Sequence, residues 1–486
     1  MDITFSNTIS PIDNRYFDLV SELSNFYSYK SWTNYRLNVE CKYLTLLLKV
    51  FDDNNIFHIH NKNNEDITKN FINNLSIELN NHCLVFNDNN LKSVINIEKK
   101  TLHDIKAIEY YLKNIITDNY LPDIFRKLDI NMNNQISIMK QITEYIHFGL
   151  TSQDVNSVAF TTQTSECIKN IIIPNMNIII QNINKLSEKS NITIMAYTHG
   201  QPAVPTNMMK ELQVFNTRLN YWFNDIKEHK HATKFGGAVG NLNAHYYTYP
   251  NIKWSEIFDT YLNQEGISRW QYTTQITNYD DICKLFGFII GFNTVLIDLC
   301  QDIWLYISNN YFKLHKENDT QVGSSTMPQK VNPIDFENAE GNLKLANSGF
   351  HFFIDKLQVS RLQRDLTDST ILRSIGTYFA YSLIGYKKLT KGLKKLEINK
   401  QVINKDLNNH PEILAEAIQI ILRTHNVSNA YDIVRKITQN KDYNNLEEFK
   451  NEVKTNIFNY IADGDTRLII EKQIDNLNFD TYSGKF

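Results

Sequence analysis

The segment Gly323-Ser324-Ser325-Thr326-Met327-Pro328-Gln329-Lys330-Val331-Asn332-Pro333 joins a glycine, adjacent hydroxyls, an ammonium and an amide in a stretch with no helical or strand period. Gly323 opens backbone angles that side-chained residues avoid. The hydroxyls and the amide can both donate and accept, and Pro328 and Pro333 forbid a continuous helix. A packing element is not written this way, so the segment is expected to be a functional loop hinged at Gly323.

Five further clusters carry chemistry suited to an anion. In Ser10-Pro11-Ile12-Asp13-Asn14-Arg15-Tyr16, Arg15 could pair with a phosphate or carboxylate and Tyr16 could stack or donate; a plain surface turn is the alternative. Thr101-Leu102-His103-Asp104 opens a helix in which Thr101 could be the cap, leaving His103 for the cap region or a ligand. His147-Phe148-Gly149-Leu150-Thr151-Ser152-Gln153-Asp154 sets two hydroxyls ahead of a helix, as an anion site or a simple N-cap would. Thr198-His199-Gly200-Gln201-Pro202 holds a histidine in a rigid polar turn. Ser360 to Arg373 places Ser369 and Arg373 four residues apart on one helix face near Arg364, to grip a phosphate or to form inter-helix salt bridges. None of these clusters is metal-like, and five scattered cysteines without a Cys-x-x-Cys pair give no zinc site and no disulfide framework.

These residues must be positioned by helices. A chain of 486 residues with only 16 Gly and 9 Pro favours long helices over turn-rich β architecture. From Met208 to Ile226 apolar residues recur at Met208, Leu212, Phe215, Leu219, Trp222 and Ile226, a heptad-like seam. Leu285 to Ile307 is apolar on most of its circumference, yet carries Asn293, Asp298, Gln301 and Asp302, so a buried bundle helix is expected rather than a membrane span. Further helices are expected over 31–51, 99–116, 336–359 and 369–389, with strand-like alternation only around 83–86. The lysines 387, 388, 391, 394 and 395 are expected to form a solvated helix face. A net charge of −3 gives no global case for nucleic acid or an anionic membrane as partner. The N-terminal residues lack the basic and apolar regions of a signal peptide, and with unpaired thiols this leads us to expect a cytoplasmic protein.

Taken together and in this order, the motifs resemble the adenylosuccinate lyase family of the fumarase/aspartase superfamily. The loop matches the superfamily signature Gly-Ser-Ser-x-Met-Pro-x-Lys-x-Asn. The narrower resemblance rests on Ser10 to Tyr16, Thr273-Thr274-Gln275-Ile276, Pro333 to Asn342 and the Ser360 to Arg373 block, so it spans nearly the whole chain. Leu102, Tyr197 and Gln329 depart from residues common at those positions of the family.

The resemblance implies a mainly α fold of three helical domains, 1–122, 123–392 and 393–486, with the central long-helix bundle forming a homotetrameric core. It implies an anti β-elimination that splits a C–N bond and releases fumarate from a nucleotide substrate, with no cofactor. By motif position Ser324 is the expected base and His199 the expected acid, with Lys330 and Asn332 holding the succinyl carboxylate. Arg15, Tyr16, His103, Asp104, Thr151, Ser152, Gln275, Ser325, Asn338, Arg364, Ser369, Thr370 and Arg373 complete the implied binding set, and active sites shared between subunits are implied too. Fumarase, aspartase and argininosuccinate lyase share the loop but bind no phosphate. A non-catalytic structural relative is the remaining alternative.

Overall fold

The computed structural model describes residues 8–315, 327 and 329–485, and within them the chain is mainly α. Three two-stranded sheets are present among the described residues, the longest a hairpin of Thr193–Thr198 with Gln201–Asn207. The chain forms two compact units, each drawn from three stretches: 1–174, 224–291 and 345–384 in the first, 175–223, 292–344 and 385–486 in the second.

In the first unit, Tyr29–Asp53 is a 25-residue helix that buries Leu37, Tyr43, Leu44, Leu47, Leu48 and Phe51. These join Phe71, Phe125, Trp254 and Phe258 in one core, where Phe51 meets Trp254 edge-on at 6.4 Å between ring centroids. Burying each such side chain contributes roughly 1.5–3 kcal/mol. The stretch expected as one helix over 99–116 is two, Asp88–Thr101 and Asp104–Ile115. Leu102 sits between them at φ 52, the left-handed region that closes helix ends. His103, not Thr101, is the N-cap of the second helix, its Nδ1 accepting the Lys106 N–H at 3.2 Å. The stretch 83–86 is no strand: it ends the helix Thr68–Leu84 and leads to Asn87, which caps the next.

Two π-helical turns, Ile116–Tyr120 and Ile168–Ile172, interrupt otherwise α-helical runs, and each precedes a proline, Pro122 or Pro174. Proline lacks an N–H and crowds the carbonyl four residues back, so a widened turn lets the helix continue past it.

In the second unit, three of the four polar residues that argued against a membrane span, Asn293, Asp298 and Gln301 of the Asp280–Ser308 helix, have partners. Tyr386 donates to Asn293 Oδ1 at 2.7 Å in a fully buried pair, Arg218 bonds Asp298 at 2.5 Å, and Gln301 donates to Glu340 at 3.0 Å. The helix is long and apolar enough to cross a bilayer by composition, but 56% of that apolar window is already buried in protein. A Cβ on Gly385 would fall 2.6 Å from Leu343, so glycine there sets the close approach of two helices. The 387–395 lysines are not simply a solvated face, since Lys395 pairs with Asp335 at 2.5 Å and Lys388 with the same carboxylate at 3.8 Å.

Candidate active site

A cavity of about 340 Å³ in the first unit collects residues from three separate motifs: His103 and Asp104, Ser152, and Arg364, Ser369 and Arg373. All but Arg364, which lies in the turn before Thr367, are placed by a helix end. His103 and Asp104 begin the Asp104–Ile115 helix, Ser152 begins the Ser152–Cys167 helix, and Ser369 lies in the short Thr367–Leu372 helix, which Arg373 caps. Helix N-termini present unpaired N–H groups and a positive dipole end, and three arginines add charge against Glu98 and Asp104 alone.

Hydrogen bonds fix the wall formed by the Ser360 to Arg373 segment. Arg364 Nη1 donates to Gln275 Oε1 at 2.9 Å and Nη2 to Ser369 Oγ at 3.4 Å, while Gln153 Nε2 donates to the same hydroxyl at 3.2 Å. Gln275 is held in turn by its Nε2, which donates to the Ala238 carbonyl at 3.0 Å, and by its backbone N–H, which donates to Gln363 O at 3.2 Å. Tyr279 OH donates to Asp368 at 2.8 Å, and burial drives that phenol's pKa well up, keeping it a neutral donor.

Behind Ser152 lies a fully buried ion pair. Asp154 Oδ2 accepts the Thr151 N–H at 2.8 Å, closing the first turn of the helix, and Oδ1 takes Lys234 Nζ at 2.7 Å and Gly236 N at 2.7 Å. Lys234 also donates to Gly237 O at 2.5 Å. Burial pulls the Lys234 pKa down, opposed by the adjacent carboxylate. Such a pair fixes geometry more than it stabilises, and here it ties the Thr151–Ser152 turn to the 236–240 loop that holds Gln275.

Several cavity residues stand outside the motifs read from the sequence. Arg36 is buried, bonds Asp104 at 3.2 Å and packs over Trp32 at 5.0 Å. Desolvation lowers its pKa, with Asp104 working against that. Arg36 Nε, Asn156 Oδ1 and Ser157 Oγ are buried without a partner in the protein, as groups awaiting a ligand or water would be. The hints were faint: the single arginine of the Tyr29–Asp53 helix, and polar Ser152 and Asn156 one turn apart.

Other expected site residues are not gathered here. Arg15 is exposed on the N-terminal segment, whose Ser10 and Asp13 line a neighbouring cavity together with Arg373; Tyr16 caps the next helix. Thr151 is the N-cap beside the cavity, and Thr370 bonds back to Leu366 O at 3.4 Å. In the second unit His199 is exposed at a hairpin tip, His199 and Gly200 both having positive φ (55 and 73) as a two-residue turn demands. Lys330 is exposed, and Asn338 lies in the Ile334–Leu357 helix and accepts from Asn342 at 3.1 Å. Asn332 is half-buried just before that helix. Gly323, Ser324 and Ser325 lie outside the described residues.

Comparison with known proteins bears on this arrangement. Residues 60–346 match a lyase family, and residues 360–464 match the adenylosuccinate lyase C-terminal family. The chain is 41% identical to the adenylosuccinate lyase of Dictyostelium discoideum, over 89% of this chain and 88% of that one. It is 40% identical to that of Legionella pneumophila and 34% to that of Escherichia coli, in each case over 92% of both chains. Among solved structures, the β-carboxy-cis,cis-muconate cycloisomerase of Acinetobacter calcoaceticus superposes with a TM-score of 0.66 at 15% identity, over 97% of this chain and 98% of that one. A fumarate lyase from a Mesorhizobium species gives 0.65 at 13%, over 94% and 98%. At such identities the structures speak for the fold alone, whereas the sequence relatives, aligned nearly end to end and including the block that builds the arginine wall, place this chain in the adenylosuccinate lyase family.

Proposed function

We propose that this chain is a carbon–nitrogen lyase that splits adenylosuccinate into AMP and fumarate, and acts likewise on the succinocarboxamide ribotide intermediate of purine biosynthesis. The observation that carries it is the cavity in which Arg364, Ser369 and Arg373 converge with His103, Asp104 and Ser152, a cationic, hydroxyl-rich wall suited to a nucleotide phosphate. Fumarase, aspartase and argininosuccinate lyase have no use for such a wall.

The reaction requires removal of a proton beside a carboxylate and protonation of the departing nitrogen. Ser324 is the proposed base and His199 the proposed acid. A serine hydroxyl is a weak base, so it needs donors that stabilise the alkoxide, and loop amides with the Lys330 ammonium could supply them. Lys330 and Asn332 would also bear the charge that builds on the succinyl carboxylate.

The assembly we propose is a homotetramer built on the long helices, with each site completed by more than one subunit. Apolar side chains left open on a single chain support it: Val214 and Tyr221 on Met208–Glu228, Trp304 and Leu305 on Asp280–Ser308, Leu345 and Phe352 on Ile334–Leu357. The exposed position of His199, a residue proposed to work in a closed site, supports it as well. All five cysteines are free and buried, as suits the cytoplasm.

The test is direct: purified protein is given adenylosuccinate while its absorbance is followed, with malate, aspartate and argininosuccinate as competing candidates. Conversion of adenylosuccinate alone is expected. Turnover of any of the others in its place would refute the assignment.

A further inference from the structure

His229, His231 and Asp281 come together in the first unit, outside the arginine-lined cavity and outside every motif read from the sequence. One ring nitrogen of each histidine and one carboxylate oxygen lie within 4.8 Å of one another. The backbone that carries them is pinned. Ala232–Thr233 pairs with Ser268–Arg269, the Ser268 N–H donates to His231 O at 2.9 Å, and the Ala232 N–H donates to Asp281 Oδ2 at 3.0 Å.

The side chains, by contrast, are unsatisfied. His231 is only 8% exposed, and its Nδ1 and the His229 Nε2 are both buried without a hydrogen-bond partner. An imidazole offers two polar nitrogens, and one left buried and unpaired bears its full desolvation penalty. Two such atoms beside a half-buried carboxylate make a donor set in search of an acceptor of electron pairs. The nearby Lys284 ammonium, which would oppose a cation, lies over the Phe288 ring at 5.6 Å.

We propose that His229, His231 and Asp281 bind one divalent transition-metal ion of the zinc class, with water in the fourth position. Two nitrogens and one oxygen suit such an ion and not calcium or magnesium, which take oxygen ligands. Tetrahedral zinc holds these ligands at about 2.0–2.2 Å, so binding draws the three side chains inward. The ion would clamp the 229–234 strand region to the start of the Asp280–Ser308 helix. Lys234, which holds Asp154, and Tyr279, which holds Asp368, each lie within three residues of a ligand. Metal occupancy would therefore stiffen the frame behind Ser152 and Ser369 without touching substrate.

Tag-free protein, stripped with a chelator and dialysed, is titrated with Zn²⁺ by calorimetry and with Co²⁺ by visible absorption. One ion per chain is expected, with the d–d bands of a four-coordinate nitrogen/oxygen site and a rise in Tm. His229→Gln and Asp281→Asn should each weaken binding at least about tenfold. His425→Ala, which removes an exposed histidine bonded to Gln473, should leave it unchanged. Should His229→Gln or Asp281→Asn fail to fold by circular dichroism, the Co²⁺ spectrum of the unaltered protein decides: six-coordinate or absent bands overturn the proposal. Folded protein that binds no Zn²⁺ at millimolar concentration overturns it, as does binding that survives both substitutions.

Discussion

Leu102 holds a backbone angle that its side chain resists. It is 88% exposed at φ 52, where asparagine is tolerated and a branched apolar residue costs about 1–2 kcal/mol. Leu102→Asn should therefore stabilise the protein by about 1 kcal/mol in urea denaturation; a loss of stability would show that the leucine packs on something it does not touch in a single chain. Arg364 is the reverse case, a residue whose value lies in what it holds. Arg364→Ala frees Gln275 and Ser369 together, and KM for adenylosuccinate should rise at least about tenfold, with kcat changing less, if the wall binds phosphate. An unchanged KM would mean that the wall serves only packing. At this scale the sequence showed residues set in polar, breaker-rich segments, such as Arg364 and His103, and hid those set in helices. Arg36 and Ser157 look like ordinary members of amphipathic elements until burial leaves their polar atoms unpaired.

Among the elements, the 236–240 loop is the one whose shape the site depends on. Gly240 has φ 86, and a Cβ there would stand 2.2 Å from the Thr273 carbonyl, in the same strand of chain that carries Gln275. Gly240→Ala should cost about 2 kcal/mol or more and displace Gln275, lowering activity and Tm together; calorimetry beside a steady-state assay would show it, and a silent substitution would disprove the link. A second element contact titrates. His147 Nδ1 meets the fully buried Glu40 carboxylate at 2.5 Å; burial lowers the imidazole's pKa, but Glu40, with Glu109 behind it, outweighs this and raises it. A raised folded value stabilises below the unfolded pKa of about 6.5 and loses that contribution as pH climbs through the folded one. Tm should accordingly fall over that window in the native protein and lose this component in His147→Gln. A native Tm that climbs there relative to the variant would contradict the pairing. Long helices were legible from period and composition, as Tyr29–Asp53 and Met208–Glu228 show. Their interruptions were not, because the break at Leu102 comes from a cap formed by His103, and the 193–207 hairpin depends on a turn whose angles a histidine seldom adopts.

For the molecule as a whole, the proposed sharing of sites between subunits makes a distinctive prediction. Ser324→Ala and His199→Ala should each be inactive while remaining assembled. Mixed after mild dissociation, they should regain part of the native rate, because some sites in a mixed tetramer inherit neither lesion. Size-exclusion chromatography confirms assembly, and a mixture as inactive as its components would count against shared sites. The family was legible from the sequence because its motifs span nearly the full length. How the motifs meet was not, since proximity between residues such as Gln153 and Ser369 is set by long-range packing and leaves no local trace.

Each of the two compact units is assembled from three separate stretches of chain, and all five divisions, at 174, 223, 291, 344 and 384, fall inside helices. Neither unit can be excised by cutting the chain at one place, nor exchanged as a cassette with a relative. Fragments and chimaeras of this protein must be designed around whole helices, and an insertion within any of the dividing helices alters both units at once.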